Sequence, residues 1–342
     1  MRKSKIFFDI VFRCDGGDIP ELGYGHLYRC LVLANYFKKK FYLKPKRIAF
    51  MIKSKKKYSK GIRILKKYNF SILKIYEDIK DYGIKEAQYF KKIEGNLLIL
   101  DRLGRVPKNF FKIISDRFKK KIILDDSSNN RKLFDLSLNP LIQNVSRDKN
   151  SKIGFKYLIL KPTNSLKKTV NENNIFLFFG GFDAQNITPK IVKLLNQINR
   201  NFKLFLPLSF KKRKFEKISQ NKICYFKSDQ YYDRLVNSNI AITSGGIGLF
   251  DALLNKKKII CIPQYVHQTK NAKKIAKKKA IYLLNYNDKN FDTKFLNNFF
   301  VMLNNNKYKK KIFIEQNKII NFKMLSKTFN LFAELYNESK YR

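Results

Sequence analysis

Acidic residues are scarce in this chain. It has 26 Asp and Glu against 73 Lys and Arg, a net charge of +47. Tryptophan is absent, histidine occurs twice, and there are only 14 Gly and 8 Pro in 342 residues. The surplus of Lys, Asn, Ile, Phe and Tyr beside these gaps is what an A/T-rich coding sequence favours, so much of the charge is expected to be genomic drift. Basic clusters such as Lys38–Lys40, Lys53–Lys57, Lys119–Lys121 and Lys273–Lys279 run along the whole chain. A dedicated nucleic-acid face would concentrate them, and no specific nucleic-acid partner is expected. Such a field attracts any polyanion, which leaves peripheral contact with an anionic membrane open.

The four cysteines, Cys14, Cys30, Cys224 and Cys261, form no C-x-x-C pair and have no histidine at finger spacing. That argues against zinc and fits a reducing compartment, hence a cytoplasmic protein, peripheral at the inner membrane if it contacts lipid at all. Apolar runs fall short of the roughly 18 residues that a spanning helix needs. Met1–Phe12 is interrupted by Asp9 and lacks a small-residue cleavage site, so it reads as a first strand. What is present is apolar residue: 44% of the chain is hydrophobic, enough to offset conformational entropy and exclude a disordered basic tail.

Apolar runs of strand length occur at Ile6–Phe12, Arg47–Ile52, Leu97–Leu100 and Lys121–Leu124, and again at Ile175–Phe179, Lys203–Leu206, Ile240–Thr243 and Lys258–Ile262. Near-continuous apolar strands separated by helical patterns indicate parallel sheets covered on both faces. Leu27, Cys30, Leu31, Ala34 and Phe37 keep helical spacing after a Gly-rich turn, as do Ala272, Ile275, Ala276 and Ala280 after Gln268. The pattern predicts an α/β chain of two Rossmann-type doubly wound domains facing across a cleft, residues 1–160 and 175–320. A polar linker is expected over 161–174 and a packing helix over 321–342.

Three turns carry the candidate chemistry. In the first, Phe12-Arg13-Cys14-Asp15 leads to Gly23-Tyr24-Gly25-His26 and then Arg29 at the opening of a helix. Glycines let the backbone approach a ligand, and a helix N-terminus favours a neutral imidazole able to take a proton from water. A histidine that merely caps the helix is the alternative. In the second, Ser244-Gly245-Gly246 enters a helix bearing Asp251 and is followed, after another strand, by His267-Gln268. Backbone N–H groups there suit phosphates and the carboxylate suits ribose hydroxyls. Close packing with a solvated Asp251, and cap roles for His267 and Gln268, are the alternatives. The third is Gly180-Gly181-Phe182-Asp183 with Asn186. Asp101 and Asp125-Asp126 also end strands, Asp126 as an expected helix cap and Asp101 open between cap and cleft residue. No D-x-D loop suggests a divalent ion for a diphosphate, so neither metal nor cofactor is expected.

Phe12-Arg13-Cys14-Asp15, Gly23-x-Gly25-His26-x-x-Arg29 with Leu33-Ala34, Leu100-Asp101, Asp125-Asp126 and Leu138-Asn139 form an ordered series. It resembles the PseG-like family, UDP-sugar hydrolases of pseudaminic acid biosynthesis, and the related SpsG-type surface polysaccharide proteins. Gly180-Gly181-x-Asp183 with Asn186, and Ser244–Leu253, extend the resemblance to residues 6–285. It implies a GT-B-like fold shared with the MurG-like glycosyltransferases. It also implies hydrolysis of a UDP-linked diacetamido-trideoxy sugar to UDP and free sugar for surface glycan synthesis. His26 would be the catalytic base. Arg13, Asp15, Gly23, Gly25, Arg29 and Asp101 would surround the sugar. Gly180, Gly181, Asp183, Asn186, Ser244, Gly245, Gly246, Asp251, His267 and Gln268 would hold UDP. Two departures point to a GT-B glycosyltransferase as the alternative. Asp101-Arg102-Leu103-Gly104 has leucine where the hydrolases resemble D-x-Y-G, and His267-Gln268 with Asn271-Ala272 is similar to MurG-type enzymes.

Overall fold

The apolar run at the start of the chain becomes β1 (Ile6–Cys14), buried from Ile10 onward and exposed at Ile6 and Phe7, its amino end. In a computed structural model of the protein the described residues are 5–17, 22–76, 79–102, 104–163, 171–180, 183–213, 215–217, 219–304 and 306–341. They divide into two units, Met1–Leu160 with Lys323–Arg342, and Lys161–Phe322.

The first unit contains β1, β2 (Ile48–Lys53), β3 (Ser71–Ile75), β4 (Ile93–Asp101), β5 (Phe118–Leu124), β6 (Leu136–Asn139) and β7 (Ser151–Ile153). They form a seven-stranded sheet in the order β3-β2-β1-β4-β5-β6-β7, and every pairing is parallel. The chain builds outward from β1, then returns to add β4 on its other side. The switch point where ligands of such sheets bind therefore lies between β1 and β4, at their carboxyl ends. Register there sets Arg13 beside Leu100 and Cys14 beside Asp101. The intervening helices are α1 (Gly25–Lys40), α2 (Ser59–Lys66), α3 (Ile84–Phe90) and α4 (Lys108–Ser115). Gly23, at φ +54°, turns the chain into α1, and Lys38, Lys39 and Lys40 suit the negative end of that helix dipole.

The second unit has β8 (Asn171–Phe178), β9 (Lys203–Pro207), β10 (Lys222–Phe226), β11 (Ser238–Thr243), β12 (Lys258–Cys261) and β13 (Tyr282–Leu283), ordered β10-β9-β8-β11-β12-β13. The switch point falls between β8 and β11. Its helices are α5 (Thr188–Asn196), α6 (Tyr231–Val236), α7 (Ile247–Leu254), α8 (Val266–Ala276), α9 (Phe291–Asn304) and α10 (Asn306–Ile319). The final helix, α11 (Phe322–Lys340), packs on α1 of the first unit: Phe329 lies 4.8 Å from Tyr36, and Tyr336 5.6 Å from Phe37 and 4.7 Å from Phe41, centroid to centroid.

Two features differ from the sequence expectation. Asn171–Asn174 belong to β8 rather than to a linker, because Asn174 is held in register by its amide, which donates to Asn237 O at 3.0 Å. Residues 164–170 of that expected linker lie outside the described residues. Strands β3, β6, β7, β10 and β13 extend both sheets beyond the eight apolar runs.

Candidate functional site

In the first unit, the glycine turn and the switch point bring His26, Arg29 and Asp101 together. Asp101 ends β4 at zero exposure, and α1 begins opposite it. His26 Nδ1 lies 2.6 Å from Asp101 Oδ1. Burial alone would raise the Asp101 carboxyl, but the charges of Arg29 and His26 hold it far below the usual carboxylate range. An ionised carboxylate only accepts, so Nδ1 carries the hydrogen and Nε2 is left as the basic nitrogen. Tyr24, the residue before α1, makes no side-chain cap hydrogen bond, and His26 lies within the first turn with its ring on Asp101. Arg29 donates Nε to Asp101 Oδ2 at 2.7 Å, Nη2 to Oδ1 at 2.5 Å, and Nη1 to Asp125 Oδ2 at 2.6 Å. Two buried carboxylates thus share one guanidinium, and the group becomes neutral when His26 gains a proton.

Asp125 has a different role from the strand-end cap considered for its neighbour. Its φ of +49° turns the carboxylate toward the next loop, where Oδ1 accepts Leu141 N at 2.9 Å and Ile142 N at 3.2 Å. Asp126 accepts Val106 N at 2.8 Å and Ser128 N at 2.6 Å, so it fastens two loops.

Arg13 and Asp15 sit on the opposite face of the same sheet end, because neighbouring strand residues alternate. Both are buried. Arg13 Nε donates to Glu86 Oε1 at 2.5 Å, and Arg13 Nη1 pairs with Asp15 Oδ1 at 2.9 Å. Arg102 joins Glu86 and Asp81, Lys53 joins Asp81, and Glu86 Oε2 accepts Tyr82 N at 2.6 Å. Burial opposes ionisation of Asp15, but Arg13, Arg102 and the Lys53 N–H bring its pKa down to about 2. Asp15 and Arg13 therefore brace the loop that carries the glycine turn. Packing holds that loop as well: a Cβ on Gly17 would collide with the Lys57 carbonyl oxygen. Gly17 N also donates to Gly23 O at 3.0 Å. Leu103 lies outside the described residues.

In the second unit, three turns follow β8, β11 and β12, neighbours at the switch point. Ser244-Gly245-Gly246 leads into α7, whose first N–H groups receive no side-chain cap. A Cβ on Gly245 would lie 2.7 Å from Gln268 O, so only glycine lets this turn close on the start of α8. Gln268 is buried and its Oε1 accepts Gln264 N at 3.0 Å. His267 is exposed, stacked 5.7 Å from Tyr265 at the uncapped start of α8. Gly180, at φ +85°, has open space where a Cβ would sit, and Gly181 lies outside the described residues. Asn186 adopts φ +50° as the turn closes on Asp183 O at 3.1 Å.

Asp183 and Asp251 are buried rather than presented to solvent. Asp183 accepts Ile187 N at 3.0 Å, Thr188 N at 2.9 Å, Thr188 Oγ1 at 2.6 Å and Gln264 Nε2 at 2.7 Å. It shapes the turn and starts α5. Asp251 accepts Tyr231 Oη at 3.1 Å and Tyr232 Oη at 3.4 Å, which overturns the solvated-surface alternative. Burial pushes its pKa up to about 7, against the two tyrosine hydroxyls and Lys161. The folded state thus holds a proton that the unfolded chain releases near its ordinary range, so this stability is full below about pH 4 and lost as pH rises through about 7. Asp251→Asn is expected to remove that slope. Thermal unfolding should show little change at pH 4 and a gain at pH 8 of no more than about 4 kcal/mol.

Sequence reasoning missed Glu86 and the role of Arg102, and gave Asp125 no partner, since the pairs between guanidinium and carboxylate span 16 to 96 positions. Among the described residues no group of three or more His, Cys, Asp or Glu is placed to hold a metal ion, and no helix is long and apolar enough to cross a membrane.

No family model matches the chain. Over 260 residues it is 29% identical to the uncharacterized protein MJ1062 of Methanocaldococcus jannaschii, a match that covers 68% of this chain and 51% of that protein. The chain thus spans about half the length of that curated relative. Solved structures match over nearly the full length. MurG of Acinetobacter baumannii superposes with a TM-score of 0.65 at 13% identity, covering 95% of this chain and 99% of that one. The fold is the GT-B fold. CalG4, the calicheamicin glycosyltransferase, gives a TM-score of 0.62 at 8% identity, covering 97% and 99% of the two chains. The spinosyn rhamnosyltransferase SpnG, complexed with thymidine diphosphate, gives 0.60 at 11% identity, covering 96% and 100%. This GT-B chain has two parallel Rossmann-like sheets, each with its own switch point.

Proposed function

We infer that this chain is a nucleotide-sugar-dependent glycosyltransferase whose second unit holds the nucleotide and whose first unit activates the acceptor. The observation that carries the reading is the His26–Asp101 pair at the first switch point. With Nδ1–H directed to a carboxylate, Nε2 takes the proton of an attacking hydroxyl as that oxygen bonds to the anomeric carbon. The imidazolium is then held by the surplus negative charge of Asp101 and Asp125. The bond to the nucleotide diphosphate breaks as the new one forms. Uncapped N–H groups at the starts of α7 and α8, with the Gly180 and Ser244–Gly246 turns, suit the departing phosphates. The solved glycosyltransferases support transfer over hydrolysis, reversing the order drawn from sequence.

A second reading keeps the same base and makes water the nucleophile, as in a UDP-sugar hydrolase of the PseG type. The Arg13-x-Asp15 lead and the Gly23-x-Gly25-His26 turn favour it. Incubation with UDP- and TDP-sugars in ¹⁸O-water separates the two. Nucleotide release that needs an added acceptor supports transfer. Release without acceptor, with label in the free sugar, supports hydrolysis. Label in the nucleotide phosphate means attack at phosphorus and removes both.

A further inference from the structure

The 26 acidic residues are unevenly spread. Between residues 22 and 76 the sequence has 13 Lys and 3 Arg and no Asp or Glu. In a parallel β-α-β arrangement, the loops from α1 to β2 and from α2 to β3 both lie at the amino ends of the strands, opposite the end that carries His26. Ser71 Oγ donates to Lys46 O at 2.8 Å and fixes the two loops side by side. Together they expose Lys39, Lys40, Lys44, Lys46, Lys66 and Lys67.

Two aromatic rings stand among these lysines. Tyr42 is 91% exposed and Tyr68 41% exposed. Tyr42 follows Phe41, the C-cap of α1, and ends that helix in the left-handed region at φ +53°. At the far end of α11, Lys340 lies over Phe41 at 5.4 Å and adds a further cation to this edge. Arg47 is engaged with Asp9 at 2.9 Å.

We propose that this amino-end edge of the first unit docks on an anionic phospholipid bilayer. The lysines meet lipid phosphates while the tyrosines enter the headgroup layer, where an amphipathic ring finds both apolar and polar surroundings. Charge sign calls for a polyanion and the loop geometry favours a bilayer: the cations border rings that protrude from two loops, whereas nucleic-acid grooves track a backbone along a channel. In the docked state the nine residues of β1 set the His26 end roughly 30 Å from the lipid, facing water. The first unit would then exchange soluble substrates while the chain stays on the membrane.

The test is sedimentation of the full chain with phosphatidylcholine vesicles, with or without phosphatidylglycerol. Binding is expected only with phosphatidylglycerol. Substituting Lys39→Glu, Lys40→Glu, Lys44→Glu and Lys46→Glu together should weaken it by roughly 10²-fold or more. The same charge change on α8 and just beyond it, at the exposed Lys270, Lys273, Lys277 and Lys278, should cost only a few-fold. Tyr42→Ser, which keeps every charge, should weaken binding several-fold and serves if the charge-reversed variant does not fold. Equal losses from both charge sets, no binding to the anionic vesicles, or tighter binding of single-stranded RNA through the same lysines would overturn the proposal.

Discussion

His26→Asn is expected to lower turnover by roughly 10²- to 10⁴-fold, on whichever nucleotide-sugar the enzyme uses, and to leave nucleotide affinity near that of the parent. The chemical reason is that asparagine still offers Asp101 an N–H but has no nitrogen able to take a proton. In the proposed mechanism the nucleotide binds the second unit, so calorimetry with UDP or TDP should report the parent affinity. Normal turnover in the variant would make His26 a packing residue and remove the basis of the mechanism.

Asp101→Asn should do more, because Asp101 serves two ends at once. Its carboxylate receives His26 on one side and Arg29 on the other, with the Cys30 thiol at 3.6 Å. An amide directs two hydrogens into a site that already contains donors, and Arg29 keeps its charge with Asp125 as its remaining carboxylate. Breaking such a buried pair costs about 3–5 kcal/mol of stability. Turnover should fall by roughly 10²-fold or more as the imidazole loses its orientation and its counter-charge. A double variant with His26→Asn distinguishes a unit from two independent groups. Its turnover should match the worse single variant, whereas a loss equal to the product of both would mean that the two residues act separately.

Much of the frame was legible because parallel strands buried on both faces leave continuous apolar runs, as at Leu97–Leu100 and Ile240–Thr243. Edge strands escaped for the same reason in reverse. Ser71–Ile75 and Lys222–Phe226 carry lysine and partly exposed residues; the interior strand Leu136–Asn139 escaped on different grounds, since it buries the polar Ser137 and Asn139. At the candidate site, the Gly23-x-Gly25 turn before a helix singled out His26, with a helix-capping histidine as the alternative. The partnership with Asp101 was not legible, since it spans 75 positions and depends on which face of β4 is turned toward α1. Glu86 was invisible: nothing local in Lys85-Glu86-Ala87 distinguishes a surface glutamate from one at zero exposure beneath two guanidiniums. For Asp251 the sequence identified the position, but its burial against two tyrosines required the packing of α6 on α7.

The attachment of α11 to the first unit has a consequence for biosynthesis. Tyr36 and Phe37 lie on α1 and Phe41 just beyond it, yet their covering residues Phe329 and Tyr336 are translated only after the whole second unit. The second unit, complete by Phe322, has all of its own strands available while the first still lacks a layer. Folding on the ribosome would therefore finish in the reverse of chain order. During that interval a row of aromatic side chains at α1 stays uncovered, open to chaperones and to premature association, until α11 has emerged to close it.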